Sequence, residues 1–322
     1  MDKLLCGIDI GGTKSFAVLF DKNGCVAAQR ISRGSTPIDV GTEEMESIYR
    51  DAVLHIFEAA GERGIEALYI SAAAYEQYPQ FMDEVFARIV TEACAAIGQA
   101  QLPAVRIEPD GLCLISGELG HADGAGLICG TGSSLFVRRG ETSYRVGGWG
   151  HYFGSVGSGF QLARMSIQAA YKAYDGIIGP TVLTDLLSEK AGCPIRKHYA
   201  ALYSGGRSYV ASFADCLFKA VKLGDETAKE IFCTGAEDLA QVTAAARRKE
   251  GRALKIVMNG GIFFHYPEYV AEVIRRAPQD LEFLLGSTPP IYGCAVEAMH
   301  LLGSDALGGD AFKANFIRTL CK

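Results

Sequence analysis

The first third of the chain contains short apolar runs that are separated by tight polar or glycine-rich turns. Residues 4–10 are mostly apolar and lead to a Gly-Gly pair, after which a second run extends over residues 15–20. An Asp-Lys-Asn-Gly turn then leads to a third run at residues 25–31. Apolar runs joined by such turns are typical of antiparallel strands. The sequence therefore predicts a three-stranded meander at the start of the chain.

Strands and helices alternate after this meander. The spacing of apolar residues predicts helices at about 42–60, 80–97 and 111–116, with buried strands at 67–71 and 104–108. A meander that is followed by alternating strands and helices indicates a mixed sheet covered by helices.

The order of strand, glycine-rich turn and strand occurs again near residue 130. Residues 126–129 and 133–138 are apolar runs on either side of a Gly-Thr-Gly turn. This repetition indicates a structural duplication. The remaining elements that the pattern predicts are a helix at 160–174, a helical region at 209–248 that breaks near Gly224, a strand at 254–258 and a helix at 293–302.

Composition and charge narrow the functional classes. The chain has 322 residues, 49% of them hydrophobic, which suits a large core and is a typical length for two domains. A net charge of −6 and a pI near 5.6 give no electrostatic signature of nucleic-acid or anionic-membrane binding. The sequence has neither a signal-peptide pattern nor an apolar run of about 20 residues, so we expect a cytoplasmic protein. The ten cysteines include no C-x-x-C pair, and we expect them to be reduced and mostly buried.

The first candidate site is the Gly-Gly turn near the start of the chain. Gly11 and Gly12 let the backbone turn with its N–H groups pointing into a concavity that suits phosphate oxygens. Thr13 adds a hydroxyl group and Lys14 a positive charge, while Asp9 is placed to hold Mg²⁺. An ordinary hairpin turn with a solvated aspartate explains the same residues.

The second candidate site has the same construction. Gly130, Thr131 and Gly132 lie between two apolar strands and are followed by Ser133 and Ser134. Taken alone, the pattern is explained by a plain hairpin. Together with the first turn, it predicts a pair of phosphate-binding loops.

The third candidate is Asp110, which follows one predicted strand and precedes a short apolar helix. A carboxylate at the carboxyl end of a strand is well placed to accept a proton from a substrate hydroxyl. A helix N-cap is the alternative role for this aspartate.

Two further glycine-rich segments complete the set. Gly260 and Gly261 follow a buried strand, where glycines allow the chain to lie against a planar base such as adenine, although a strand-to-helix turn explains them equally well. Residues 147–159 are rich in glycine, and this composition predicts a loop. We favour a ligand-facing loop over a packed turn that is anchored by Trp149. We interpret His151 as a structural, hydrogen-bonding residue.

Taken in order, these segments resemble the BadF/BadG/BcrA/BcrD ATPase family, and within it the N-acetylglucosamine kinase-like branch. The resemblance extends from Asp9 to the Pro-Ile-Tyr-Gly-Cys-Ala-Val segment at 290–296. It implies an α/β protein with the two-lobed actin-like ATPase (ribonuclease H-like) fold, in which each lobe has a mixed five-stranded sheet with helices. Residues 1–115 would form the N-terminal lobe, which the C-terminal helix at 295–322 is a candidate to complete. Residues 116–294 would form the C-terminal lobe with a helical insertion, and the lobes would close on ATP and Mg²⁺ in the cleft.

The resemblance also implies a role for individual residues. The catalytic base would be Asp110, which Gly117 follows seven residues later as in the family, and Asp9 would hold the metal. The nucleotide-binding residues would be Gly11, Gly12, Thr13, Lys14, Gly130, Thr131, Gly132, Gly260 and Gly261. The substrate-binding residues would be Thr36, Asp110, Ser133, Ser134, Gly148, Trp149, Gly150 and Ser155.

Four positions depart from the family on the sugar side. Thr36 and Ser134 stand where the family usually has asparagine, and Ser155 and Val156 stand where it usually has aspartate and glutamate. Carboxylates and amides hold a sugar ring by hydrogen bonds to neighbouring hydroxyls. We therefore expect poor activity on N-acetylglucosamine.

Three functions are consistent with these residues. The leading interpretation is an ATP-dependent kinase that phosphorylates a hydroxyl of a sugar, an amino sugar or a related small molecule. The second is an ATPase that drives a partner protein, as dehydratase activators do, although their Asp-Lys-Cys-Ala-x-Gly-Thr-Gly segment is missing from the chain. The third is a sugar or nucleotide sensor, which would not need a catalytic base. We expect a sugar-like acceptor as the partner, with no nucleic acid and no membrane, and a homodimer is an open option.

Overall fold

The computed structural model describes residues 2–12, 14–34, 41–73, 75–303 and 309–320. Its strands are β1 (Leu4–Ile10), β2 (Lys14–Phe20), β3 (Val26–Arg33), β4 (Ile65–Ala72), β5 (Ala104–Pro109), β6 (Gly124–Cys129), β7 (Ser133–Arg139), β8 (Thr142–Val146), β9 (Lys255–Asn259) and β10 (Glu282–Leu285). Its helices are α1 (Thr42–Ala60), α2 (Pro79–Ala96), α3 (Leu112–Leu119), α4 (Gly159–Tyr174), α5 (Leu183–Ala191), α6 (Tyr199–Ser204), α7 (Gly206–Ala211), α8 (Ala214–Lys222), α9 (Glu226–Glu250), α10 (Gly261–His265), α11 (Pro267–Arg276), α12 (Pro290–His300) and α13 (Asp310–Leu320). Short 3-10 turns lie at Gly61–Arg63, Tyr75–Gln77 and Ile195–Lys197.

The contacts divide the chain into two units. The first contains Met1–Asp123 together with Gly286–Lys322, and the second contains Gly124–Leu285. The divisions expected from the sequence, at 115/116 and 294/295, fall inside α3 and α12. These two helices pack against each other, so the contacts keep both of them whole within the first unit.

The first unit has one five-stranded sheet in the order β3-β2-β1-β4-β5. Strands β1 to β3 form the antiparallel meander that the sequence predicts, whereas β1, β4 and β5 run parallel. Parallel neighbours require a connection that crosses over the sheet, and α1 and α2 lie in those connections. The sheet is therefore mixed and covered by helices, as predicted.

The central strand β1 is buried on both faces, which is why it is a nearly continuous apolar run. Cys6 and Ile8 join the core that is formed with α1 and α2. Gly7 faces the opposite way, and a Cβ atom at this position would lie 3.0 Å from the Cβ atom of Cys294 in α12. Helices thus cover β1 on both sides, and its carboxyl end is the part that is left to carry a polar side chain.

The second unit repeats this arrangement in its own sheet, which has the order β10-β9-β6-β7-β8. Its first strand, β6, pairs antiparallel with β7 and parallel with β9, just as β1 pairs with β2 and β4. The core of this unit includes buried residues of β6, α4, α8 and α9. The predicted structural duplication and the two mixed five-stranded sheets are confirmed.

The sequence pattern missed two edge strands, β8 and β10. Both are short, and neither contains a fully buried residue, so they lack the apolar signal of the inner strands. The predicted break in the long helical region is confirmed. It lies between α8 and α9, where Gly224 has φ +84° and the Asp225 side chain caps α9 by accepting a hydrogen bond of 2.8 Å from the Ala228 N–H.

Two general expectations can be compared with the structure. The nine cysteines within the described ranges are free, and six of them are buried. In the part of the chain that the structure describes, no helix is both long enough and apolar enough to cross a membrane.

The packing of α12 on α3 leads to the first testable prediction. A Cβ atom at Gly293 would lie 1.7 Å from the carbonyl oxygen of Cys113, a backbone atom that cannot rotate away. Although alanine is the better helix former, we expect Gly293→Ala to lower the free energy of unfolding by about 1–3 kcal/mol or more, because the two helices must move apart. Urea denaturation followed by circular dichroism measures this change. Gly41→Ala is the matched control, since no atom of the described ranges lies within 4 Å of a Cβ atom there; equal stability of the two variants would contradict the prediction.

Candidate functional site

Polar side chains meet at the carboxyl edge of the first sheet. Because β1, β4 and β5 are parallel, their carboxyl ends lie at the same edge. Asp9 in β1 lies opposite Ser71 in β4, and Ser71 lies opposite Glu108 in β5. Asp110 follows the last residue of β5 directly. The strand pairing therefore brings Asp9 and Asp110 to one place, although about a hundred residues separate them in the sequence.

The environment of Asp9 is unfavourable for a negative charge. One of its oxygens, Oδ1, accepts a hydrogen bond of 3.2 Å from the Ser71 hydroxyl. Burial of the carboxyl group, together with the negative charge of Asp110, raises the pKa of Asp9 to about 7, against the smaller opposing effects of Ser71 and Lys14. Two carboxylates that repel each other in a desolvated corner suit a hard divalent cation, which prefers oxygen ligands. The residues present therefore fit Mg²⁺.

Asp110 lies directly before the start of the next helix. The N-cap position of α3 belongs to Gly111, which has no side chain. The backbone carbonyl of Asp110 accepts a hydrogen bond of 3.0 Å from the Cys113 thiol, which fixes the start of α3. The structure therefore places Asp110 between the end of β5 and the start of α3.

The first glycine-rich turn joins β1 to β2. The Gly11 N–H donates a hydrogen bond of 3.0 Å to the Lys14 carbonyl, which closes the turn. Gly11 and Gly12 are half-buried and the Lys14 side chain is exposed. Thr13, the other residue predicted at this loop, lies outside the described residues, as does the predicted substrate residue Thr36.

The second glycine-rich turn joins β6 to β7 and packs on the start of α4. Its Gly130 N–H donates to the Gly132 carbonyl at 2.8 Å. The Gly130 and Thr131 carbonyls in turn accept hydrogen bonds from the N–H groups of Gly159 and Phe160, at 2.8 Å and 3.1 Å. Among the residues that the structure describes, none has an atom within 4 Å of a Cβ position at Gly130, so the space beside this backbone is open to them.

The glycine pair after β9 lies next to this second loop. Gly260 has φ +114°, and a Cβ atom there would lie 2.3 Å from the carbonyl oxygen of Cys129. Only glycine allows this conformation and this close approach of β9 to the end of β6. Gly261 then begins α10, so the strand-to-helix turn that the sequence left open is present.

A cavity of about 390 Å³ lies within the second unit at this point. It is lined by the predicted residues Gly130, Thr131 and Gly261 and by Gly159, Ser208, Ala211, Ser212, Ala214, Asp215, Ile262, His265 and Tyr266. The sequence did not identify the contributions of α7, α8 and α10, because these side chains form no motif and only the packing brings them to the cavity.

The glycine-rich segment before α4 forms a loop, as predicted. Gly148 and Gly150 have φ of +73° and +86°, and the Gly148 N–H donates to the Gly154 carbonyl at 3.0 Å. Trp149 is 67% exposed, and the Arg145 guanidinium lies 5.0 Å from its ring centroid. A tryptophan that is exposed to this degree does not anchor a packed turn.

The serine positions of this region hold the loop together. The Ser133 hydroxyl donates a hydrogen bond of 2.5 Å to the Val156 carbonyl. Ser155 donates through its N–H to the Gly150 carbonyl at 3.1 Å, and its Oγ lies 3.3 Å from a Cβ position at Gly132. Ser134 lies beside Gly148, where a Cβ atom would be 2.8 Å from the Ser134 Cβ atom. The second glycine-rich turn and the loop with Trp149 therefore form one local structure.

The raised pKa of Asp9 leads to a prediction about stability and pH. Because the folded protein holds this proton more tightly than the unfolded chain, the contribution of Asp9 to stability is complete below its ordinary pKa and is lost as the pH rises through about 7. In metal-free buffer, Asp9→Asn should therefore unfold at a higher temperature than the wild type at pH 8, and this advantage should shrink at pH 5. Scanning calorimetry measures the unfolding temperatures of the variant and the wild type at each pH. Asp51→Asn, which changes an exposed aspartate paired with Arg30, is the control; an Asp9→Asn effect that is equal at both pH values would contradict the prediction.

Known proteins resemble this chain over most of its length. The model of the BadF/BadG/BcrA/BcrD ATPase family matches residues 6–279. An N-acetyl-D-glucosamine kinase of Dictyostelium discoideum is 26% identical over 77% of this chain and 81% of its own length. An N-acetylmuramic acid/N-acetylglucosamine kinase of Clostridium acetobutylicum is 25% identical over 74% of this chain and 77% of its own length.

The fold is also shared with solved structures. A Porphyromonas gingivalis protein, assigned as an N-acetylglucosamine kinase, has a TM-score of 0.68 and 21% identity, over 93% of this chain and all of its own. The predicted actin-like ATPase fold is confirmed. The extent of the family match, together with the two glycine-rich turns and the paired strand-end aspartates that lie within it, shows that the chain belongs to the BadF/BadG/BcrA/BcrD ATPase family.

Proposed function

We propose that the protein is an ATP-dependent kinase that transfers a phosphoryl group to a hydroxyl of an amino sugar or a related sugar. The observation that carries this proposal is the position of Asp110, at the strand-end edge beside Asp9. The names of the two relatives, both of which are amino-sugar kinases, agree with it.

The glycine-rich turns supply backbone N–H groups for the phosphates of ATP. Because the Gly11 and Gly130 N–H groups close the turns, the N–H groups proposed to bind phosphate are those of Gly12 in the first unit and of Thr131 and Gly132 in the second. The adjoining cavity of about 390 Å³ is within the range of about 300–1,000 Å³ that is typical of small-molecule sites. It combines apolar side chains such as Ile262 with hydroxyl groups, which suits an adenosine.

Asp9 holds the Mg²⁺ that accompanies ATP. When it is bound, the cation neutralises negative charge on the phosphates. A bound cation would favour the ionised form of Asp9, whose pKa is otherwise raised to about 7 by burial and by the charge of Asp110. In the proposed reaction the Asp110 carboxylate accepts the proton of the acceptor hydroxyl.

The acceptor side is where this chain differs from its family. Ser155 and Val156 provide no carboxylate, and the main-chain and hydroxyl bonds of this region serve to hold the loop. We propose that the acceptor is a sugar or amino sugar other than unmodified N-acetylglucosamine. We further propose that the reaction takes place in the cytoplasm, where ATP is available, and involves neither nucleic acid nor a membrane.

The open space beside the second turn provides a test of nucleotide binding. Gly130→Val fills space that no described residue occupies, so the fold should be unchanged while the phosphates are kept away from the backbone. We expect at least a ten-fold loss of ATP affinity in calorimetry, about 1.4 kcal/mol, with an unchanged melting temperature. Gly179→Val, also at an open position of the second unit, is the control; full ATP affinity in Gly130→Val would contradict this role of the turn.

The proposed role of Asp110 as the catalytic base is tested by Asp110→Asn. This variant should bind ATP nearly as well as the wild type, while acceptor-dependent turnover falls by about 10²–10⁴-fold. Glu108→Gln is the matched control, because Glu108 lies at the same strand end and accepts a hydrogen bond of 2.7 Å from the Tyr69 hydroxyl. Wild-type turnover in Asp110→Asn would show that Asp110 is not the base.

The sugar-side substitutions are tested by restoring the missing carboxylates. Each charge-assisted hydrogen bond is worth about 1.5–3 kcal/mol, so we expect Ser155→Asp/Val156→Glu to raise kcat/KM for N-acetylglucosamine at least ten-fold above a low wild-type value. ADP release with N-acetylglucosamine gives kcat/KM for the wild type and for the variant. The same assay with N-acetylmuramic acid, glucosamine and glucose gives the values for other acceptors. Efficient wild-type turnover of N-acetylglucosamine would contradict this account of specificity.

A further inference from the structure

A second cavity lies within the second unit and has a different character. It measures about 380 Å³ and lies between the glycine-rich loop, α4, α6 and α7. We call it the tyrosine pocket, after the lining residues Tyr152, Tyr171, Tyr199 and Tyr203. None of the residues assigned above to nucleotide or acceptor binding lines it.

Aromatic rings form two walls of the tyrosine pocket. On one wall, the His151 ring lies 4.1 Å from the ring of Tyr152 and 5.0 Å from that of Phe160, between their centroids. On the other wall, Tyr199 and Tyr203 meet edge to face with their ring centroids 6.4 Å apart. Tyr152 and Tyr203 are 78% and 87% exposed, so their rings have faces free to receive a ligand. Grouped aromatic rings that are exposed in this way mark binding surfaces.

The charge of the pocket is positive. Arg164 in α4 and Arg207 in α7 line it, and no aspartate or glutamate is among its described lining residues. Within the described ranges, Arg164 has no acidic partner. A guanidinium group presents a planar fork of N–H donors that fits a carboxylate or a phosphate. The charge therefore selects an anionic group.

The remaining polar groups select a ligand that also carries hydroxyls. The Tyr171 hydroxyl is engaged with the Ile195 carbonyl at 3.3 Å. The hydroxyls of Tyr152, Tyr199 and Tyr203 lie on largely exposed side chains, and the exposed Gln168 adds an amide. These groups both donate and accept hydrogen bonds, as the hydroxyls of a sugar require, whereas a purely apolar ring would leave them unused.

We propose that the tyrosine pocket is a second binding site, for a sugar that carries a carboxylate or a phosphate group. The sugar ring packs on the tyrosine rings, and the anionic group is held by Arg164. The site goes beyond the proposed kinase activity and does not depend on it. Helices α4 and α7 line both the tyrosine pocket and the cavity of about 390 Å³ that is proposed to bind adenosine. A ligand in the tyrosine pocket therefore contacts the same two helices as the nucleotide.

The test uses three ligands with the same ring, namely glucose, glucuronate and glucose 6-phosphate, and isothermal titration calorimetry without ATP. We expect glucuronate or glucose 6-phosphate to bind at least ten-fold more tightly than glucose. Whichever anion binds identifies the anionic group that the site accepts. Arg164→Gln and Tyr203→Ala should each weaken this binding at least ten-fold. Asp110→Asn, which alters the proposed kinase site, should leave it unchanged.

Arg196→Gln is the matched control, since Arg196 is an exposed arginine of the same unit that lies over the Tyr174 ring outside the pocket. The proposal is overturned if neither anion binds, if glucose binds as tightly as the anions, or if Arg164→Gln and Tyr203→Ala bind them like the wild type. It is also overturned if light scattering shows a dimer that Tyr203→Ala converts to a monomer, since the exposed rings would then form an interface between copies of the chain.

Discussion

The parallel pairing of β1, β4 and β5 is the constraint on which the candidate site depends. Strand β1 lies between two layers of helices, so the polar residue that it carries must be near its end, where the layers stop. Parallel pairing then brings the ends of β4 and β5 to the same edge. Asp9, Ser71 and Asp110 meet there without any local signal in the sequence that links them. In this arrangement, burial and the charge of Asp110 raise the pKa of Asp9 to about 7. A bound cation would favour the ionised form of Asp9.

The second unit uses the same strand order for a different part of the chemistry. Its hairpin, β6 to β7, carries a glycine-rich turn in the same place as the hairpin β1 to β2. At the position that corresponds to β4, strand β9 is followed directly by Gly260, which approaches the backbone of Cys129 too closely for any side chain. The edge that is acidic in the first unit is thus made of bare backbone in the second. The strand ends of the two units therefore differ in chemistry: the first unit presents carboxylates there, and the second presents backbone beside a cavity.

The hairpins could be predicted from the sequence, because apolar runs and glycine turns are local features. The same apolar runs placed Asp9 and Asp110 at strand ends, where the structure has them. The edge strands β8 and β10 were missed, because short and solvated strands carry little apolar signal. The lining contributed by α7, α8 and α10 was missed for another reason: side chains such as Ser212 and Tyr266 come together only through packing. The tyrosine pocket is of the same kind, since its two walls are almost fifty residues apart in the sequence.

The central claim is that this chain transfers a phosphoryl group to a sugar rather than to water. A single-turnover reaction tests it most directly, with enzyme in excess over γ-³²P-labelled ATP, with Mg²⁺, and with or without a mixture of amino sugars and simple sugars. The account predicts that the label moves to a sugar, and that little inorganic phosphate forms when the sugars are left out. Label that appears only as inorganic phosphate, at a rate which the sugars do not change, would contradict the account and indicate an ATPase.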